Sequence, residues 1–122
     1  HSLSHSLGGV NPKLHHGTLN AMFLPAVVRF NASAESMVKD RRLARMAHAM
    51  GLAASDAEGR EVAAAIRAMN ARLGLPSGLA ALGVTADLYE RIIDGAMVDH
   101  CHKTNPRLAT RDDYVRMLEE SM

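Results

Sequence analysis

The sequence predicts an all-α protein, a helical bundle, and three observations carry that prediction. Ala, Leu and Met supply much of the 48% hydrophobic content, and all three are strong helix formers. Aromatic residues are only 3% of the chain and Trp is absent, so strand formers are sparse. Apolar residues recur at three- and four-residue spacing along the long segments, and no stretch reads convincingly as a strand. The 122 residues are one domain's worth of chain, enough to bury a single core.

Residues 1–7 have helical spacing, with Gly8-Gly9 expected to stop the helix and Asn11-Pro12 to turn the chain. Residues 17–31 read as a second helix, with Leu19, Met22, Phe23, Ala26, Val27 and Phe30 on its apolar stripe. Thr18 is the expected cap, Pro25 sits mid-pattern, where a kink is expected, and Asn31 is the stop. A helix from Ser33 or Met37 to Met50 follows, closed by Gly51, with Val38, Leu43, Met46, Ala47 and Met50 inward. The charge run Lys39-Asp40-Arg41-Arg42 reads as its solvated side, and His48 as a packed or surface histidine. Ser55 with Glu58 forms a candidate capping box for a helix over residues 56–73. After the Gly/Pro-punctuated stretch 74–79, residues 79–83 suggest a short helical turn, and Thr85 a cap. One helix is expected over 86–102, burying Leu88, Ile92, Ile93, Ala96, Met97 and Cys101, with His100 and His102 near its end. Thr104-Asn105-Pro106-Arg107 stops it, since proline disfavours helix at the residue before it. Thr110 then caps a last helix over 111–120, with Asp112-Asp113 at its positive end and Tyr114, Val115, Leu118 and Met122 inward.

The totals exclude several function classes. A net charge of +1 gives no overall attraction to nucleic acid or to an anionic membrane. No apolar run approaches the roughly 20 residues of a membrane span. A single cysteine, Cys101, excludes an internal disulfide and suits a reducing compartment, so a cytoplasmic location is expected. No glycine-rich phosphate loop follows a strand, so nothing here binds a dinucleotide alone.

The chemistry concentrates in the first seventeen residues, which hold four of the seven histidines. His1 and His5 share a helix face about 6 Å apart along the axis, and His15-His16-Gly17 brings two more imidazoles back across the turn. Neutral imidazole is a good ligand for Zn, Fe, Ni and Cu. A polar loop with exposed rings is the plain alternative. A structural zinc domain is disfavoured because such sites use several cysteines.

The words around these histidines decide between the readings. His1-Ser-Leu-Ser-His5-Ser-Leu-Gly8-Gly9, His16-Gly17-x-x-Asn20-Ala21-x-x-Leu24-Pro25 and Phe30-Asn31 resemble the iron-containing alcohol dehydrogenase family. So do Leu75-Pro76-Ser77-Gly78-Leu79-x-x-Leu82-Gly83-Val84 and Asp99-x-Cys101-x-x-Thr104-Asn105-Pro106-Arg107. The blocks keep the family order along nearly the whole chain.

The resemblance implies a helical C-terminal domain like that of dehydroquinate synthase and glycerol dehydrogenase. It implies an N-terminal dinucleotide-binding domain for NAD or NADP elsewhere in the enzyme. It also implies a divalent metal, Fe2+ with Zn2+ as the substitute, held by one Asp and three His. On this match His1 and His16 are metal ligands, and His5 lies at the nicotinamide as a catalytic and cofactor-contacting residue. The hairpin is one residue longer than the commonest form, which leaves His15 as the alternative ligand. The implied substrate is a small alcohol or aldehyde. His1–Met122 is then expected to be the C-terminal part of a longer enzyme, inactive alone. The rival reading is a free-standing bundle serving as an oligomerisation or partner-binding module, a possible homo-oligomer, with Leu3, Leu7, Leu14 and the Pro25 region exposed as an apolar patch.

Overall fold

The computed structural model describes residues 1–53 and 56–122, and these contain helices and no strand. The helices are α1 (Ser2–Val10), α2 (His16–Asn31), α3 (Glu35–Lys39), α4 (Arg42–Ala49), α5 (Arg60–Arg72), α6 (Tyr89–Val98), α7 (His100–Thr104) and α8 (Arg111–Ser121). Helix α2 is the hub, packing on α1, α5 and α8, while α1 lies along α6.

Two apolar clusters hold the helices together. The larger joins Leu3 and Leu7 of α1, Leu19, Met22 and Phe23 of α2, Leu79, Ile92, Ile93 and Leu118. The smaller joins Val28 and Ala32 with Leu43, Ala47, Val62 and Ile66. Of the apolar patch expected of a free-standing bundle, Leu3, Leu7 and Pro25 are buried and Leu14 is half-buried, while Leu24 beside Pro25 is exposed.

Pro25 lies inside α2, and the helix runs on through it. A proline has no N–H for the carbonyl four residues back, here that of Ala21. The Asn70 side chain, reaching over from α5, donates to the Ala21 oxygen at 2.9 Å instead. Asn70 therefore sits on the apolar stripe of α5 because α2 has an acceptor to fill.

Several expected boundaries move. Gly8-Gly9 does not stop α1, which continues to Val10; the break comes at Asn11, held extended (φ −135°, ψ 91°) by Pro12. Helix α2 starts at His16, before Thr18, with His15 at the N-cap. The helix expected up to Met50 is two helices, because Arg41 takes a left-handed conformation (φ 49°) between α3 and α4. The charge run 39–42 is thus a solvated break rather than a helix side, and Val38 and Met50 are exposed.

Ser55, the expected cap, lies outside the described residues, and the amide of its expected partner Glu58 donates to the Asp56 carboxylate. Helix α5 begins at Arg60 after Gly59 (φ 69°), where the Asp56 carboxylate accepts from the Arg60 amide and Glu61 accepts from the Asp56 amide. Residues 79–82 do form the short turn, as 3-10 helix, but Thr85 makes no side-chain cap bond. The helix expected over 86–102 is divided at Asp99, which turns extended (ψ 143°) and caps α7. At the last helix the expectation stands: Thr110 and Asp113 form a reciprocal capping box. Met122 beyond it is exposed.

Two contacts fix the helix ends around the larger cluster. Gly95 of α6 faces Ser6 of α1 so closely that a Cβ there would collide with the Ser6 hydroxyl. Gly78 similarly abuts the Met122 carbonyl, where any side chain would strike backbone. No helix of the described residues is long and apolar enough to cross a membrane.

Candidate functional site

Helix α1 presents His1 and His5 on one face, one turn apart, and their ring centroids lie 5.4 Å apart. The turn at Asn11-Pro12 returns the chain so that α2 starts beside them. The His16 ring then lies 5.4 Å from His1 and 5.2 Å from His5, closing a triangle of three imidazoles. His15 stays outside it. Its ring folds over Gly17, where a Cβ would come within 3.2 Å of the imidazole carbon Cε1. The extra loop residue therefore leaves His16 to face His1 and His5.

Asn20, one turn along α2 from His16, organises two of the three rings. Its amide nitrogen lies 2.9 Å from His16 Nε2 and 3.5 Å from His1 Nε2. An amide N–H only donates, so both ring nitrogens meet it as acceptors, with their protons on Nδ1. That is the tautomer whose Nε2 lone pair binds a metal ion. The two lone pairs face one point at the mouth of the hairpin, and the donor set, two neutral imidazoles, suits Fe2+ or Zn2+. The residues present fit half of a coordination shell.

His5 has a different partner. Its Nδ1 lies 3.0 Å from Oδ2 of Asp99, at the break between α6 and α7. The other Asp99 oxygen accepts from the Cys101 amide at 2.8 Å. Burial pushes the Asp99 carboxyl up, but the Cys101 amide and the His5 ring outweigh it and hold the acid below the usual carboxylate range. The same burial, with Asp99 alongside, pushes the Cys101 thiol up. The His100 ring lies 5.8 Å from the His5 ring, and its Nε2 is 3.3 Å from Cys101 Sγ. Cys101 is thus half-buried at the site rather than in the core stripe.

His102, expected near the end of the same helix, is instead buried on α7. Its Nδ1 is hydrogen-bonded to the Tyr114 hydroxyl at 2.8 Å, and burial raises the Tyr114 pKa. His48 is exposed and belongs to none of this.

The other motif blocks brace the site. Asn31 and Asn105 exchange reciprocal amide hydrogen bonds of 3.0 and 2.7 Å. Arg107 stacks on the Phe30 ring at 4.3 Å and donates to the Phe30 carbonyl. These contacts pin the loop after α7 against the end of α2. A cavity of about 60 Å³ opens beside His1, with Leu3, Phe23, Val27 and Phe30 in its wall.

Sequence reasoning brought His1, His5 and His16 together but missed Asp99 and His100 as their neighbours. The Asp99 signal was present: an acid followed two residues later by its own amide partner, in a segment otherwise read as continuous helix.

Comparison with known proteins points to one family. A model of the Fe-containing alcohol dehydrogenase family, C-terminal, matches residues 1–122. The chain is 54% identical over its whole length to 4-hydroxybutyrate dehydrogenase of Cupriavidus necator, covering 32% of that protein. It is 35% identical, again over its whole length, to NAD-dependent methanol dehydrogenase of Bacillus methanolicus, covering 32% of it. Alcohol dehydrogenase 4 of Saccharomyces cerevisiae (strain ATCC 204508 / S288c) is 34% identical over 99% of the chain and 30% of the yeast protein. The chain therefore spans about a third of the length of the curated relatives it matches. With its helical architecture and its histidine hairpin, the chain belongs to the Fe-containing alcohol dehydrogenase family, as the C-terminal helical part.

Proposed function

We propose that residues 1–122 act as one helical metal-binding domain of a cytoplasmic, NAD(P)-linked alcohol dehydrogenase. His1 and His16 are this chain's ligands to a divalent ion, Fe2+ in the first place and Zn2+ as the substitute. The other ligands and the dinucleotide site come from an N-terminal domain. The observation that carries the reading is the approach of the Nε2 atoms of His1 and His16 to the one amide nitrogen of Asn20. When bound, the ion supplies Lewis acidity to an alcohol hydroxyl and NAD(P) supplies the hydride acceptor.

The chain's own residues do the rest. Asn20 gathers the two Nε2 atoms toward one point, and its amide would give way there to the ion. Asp99 accepts from His5 Nδ1–H, which leaves His5 Nε2 as a free base beside the metal centre. That nitrogen takes the hydroxyl proton or passes it on toward solvent, and the ring flanks the nicotinamide. The cavity beside His1 shelters the carbon chain of a short alcohol from water. 4-Hydroxybutyrate is the first substrate to try, given the relative at 54% identity.

The test is metal content and turnover in the dehydrogenase that carries this chain. His1→Ala and His16→Ala are expected to take bound metal from stoichiometric to trace, whereas His15→Ala keeps it. His5→Ala keeps the metal and lowers kcat about 100-fold. Loss of metal in His5→Ala, or its retention in His16→Ala, overturns the assignment. The isolated chain of His1–Met122 is expected to oxidise no alcohol even with Fe2+ or Zn2+ and NAD(P) added.

A further inference from the structure

We propose a second metal site, for zinc or a similar thiophilic divalent ion, formed by His5, Asp99, His100 and Cys101. One ligand atom from each of the four lies within 4.8 Å of all the others. Together they offer imidazole, carboxylate and thiolate, a mixed donor set that suits zinc and is avoided by magnesium or calcium. Ligands around a four-coordinate zinc sit roughly 3.3–3.8 Å from one another. Two pairs already match or undercut that spacing: His100 Nε2 to Cys101 Sγ is 3.3 Å, and His5 Nδ1 to Asp99 Oδ2 is 3.0 Å.

The backbone holds three of the four donors in register. Asp99 leaves the helix at the end of α6, caps α7 through the Cys101 amide, and so puts residues 99, 100 and 101 on one short bend. His5 is delivered from α1 by the close approach of Ser6 to Gly95. The His100 side chain is 81% exposed, the outermost of the four donors.

This site is separate from the pair His1 and His16, with which it shares no ligand. On the functional reading above, an ion here takes His5 away from the proton and the nicotinamide. Excess zinc then inhibits the dehydrogenase without displacing the metal that drives it.

The decisive experiment uses Co2+ as a spectroscopic probe on the metal-free His1→Ala/His16→Ala protein, so that only the second site remains. A thiolate-to-cobalt charge-transfer absorption that saturates at one ion per chain is expected. Cys101→Ser should abolish the band, and the exposed substitution His100→Ala should weaken Co2+ binding at least 10-fold, with helicity by circular dichroism unchanged in both. No band in the folded parent, or a band that survives Cys101→Ser, overturns the proposal. Because the readout needs no turnover, a failure of the dehydrogenase reading would leave this result standing, and the reverse also holds.

Discussion

The two apolar clusters differ in how they are fastened. Around the larger one, helices approach at single, shape-specific points: Gly95 on Ser6, Gly78 on Met122, and Asn31 paired with Asn105. Around the smaller one, α3, α4 and α5 meet through ordinary amphipathic faces, with a left-handed break at Arg41 and with Val38 and Leu73 exposed at 65% and 68%. Every histidine of the site hangs on the larger cluster. On the proposed metal-binding role, ligand geometry tolerates errors of only about 0.5 Å, so the half that carries the histidines needs contacts that admit one arrangement. The other half needs only to cover an apolar stripe.

Substitutions on either side sharpen this contrast. Leu7→Ala empties a position with no exposed surface at the centre of the larger cluster. It is expected to cost about 2–5 kcal/mol in denaturant unfolding, and it should weaken metal binding by loosening α1. A cost below that of Leu43→Ala in the smaller cluster would erase the distinction.

Asn70→Ala breaks the one polar tie described between α5 and the Pro25 gap in α2. The Ala21 carbonyl is part-buried, so leaving it without a donor should cost about 1 kcal/mol, the low end for such a loss. Pro25→Ala returns the missing N–H, so the double variant should recover much of that loss; simple additivity of the two effects would refute the explanation.

Part of the acid limb of stability should belong to the α8 cap beside the larger cluster. Burial pushes the Asp113 carboxyl up, but the Thr110 amide and hydroxyl, with Arg107 and Arg116, hold it below its ordinary 3.8. A carboxyl lowered by folding adds stability that is complete above the unfolded value and is lost as pH falls through the folded one. Thermal midpoints should therefore fall between about pH 5 and pH 2, and Asp113→Asn should flatten that slope. An unchanged slope would place the acid sensitivity elsewhere. At the small end, Val38→Ser on the exposed side should shift stability by less than about 0.5 kcal/mol. A larger loss would mean that α3 is packed more tightly than its exposure indicates.

What was legible in the sequence follows the same division. Helical stripes such as Leu19–Met22–Phe23–Ala26 and the cap at Thr110 are local signals, and they landed where expected. So did Gly51, which closes its helix with a positive φ. The breaks at Arg41 and Asp99 were illegible because each residue sits within an apolar period that continues past it. At Asp99 a side-chain cap wins over the helix; at Arg41 a non-glycine residue takes a conformation that propensity disfavours. Gly8-Gly9 misled for the opposite reason: neither takes a positive φ, so both stay helical. In the site, His1, His5 and His16 were readable because a short hairpin joins them. Asp99 and His100 lie some ninety residues further on, and only the packing of α1 along α6 reveals them.

That packing has one more result. Because Gly95 lets Ser6 in without a gap, α1 and the Asp99 bend cannot slide or part without first lifting one backbone off the other. The His5 ring and the Asp99 carboxylate travel as a single piece, so any relative motion of these helices would have to hinge outside this seam. Filling the notch with Gly95→Ala would act as a wedge, lengthening a proton link between residues ninety-four positions apart while touching neither of them.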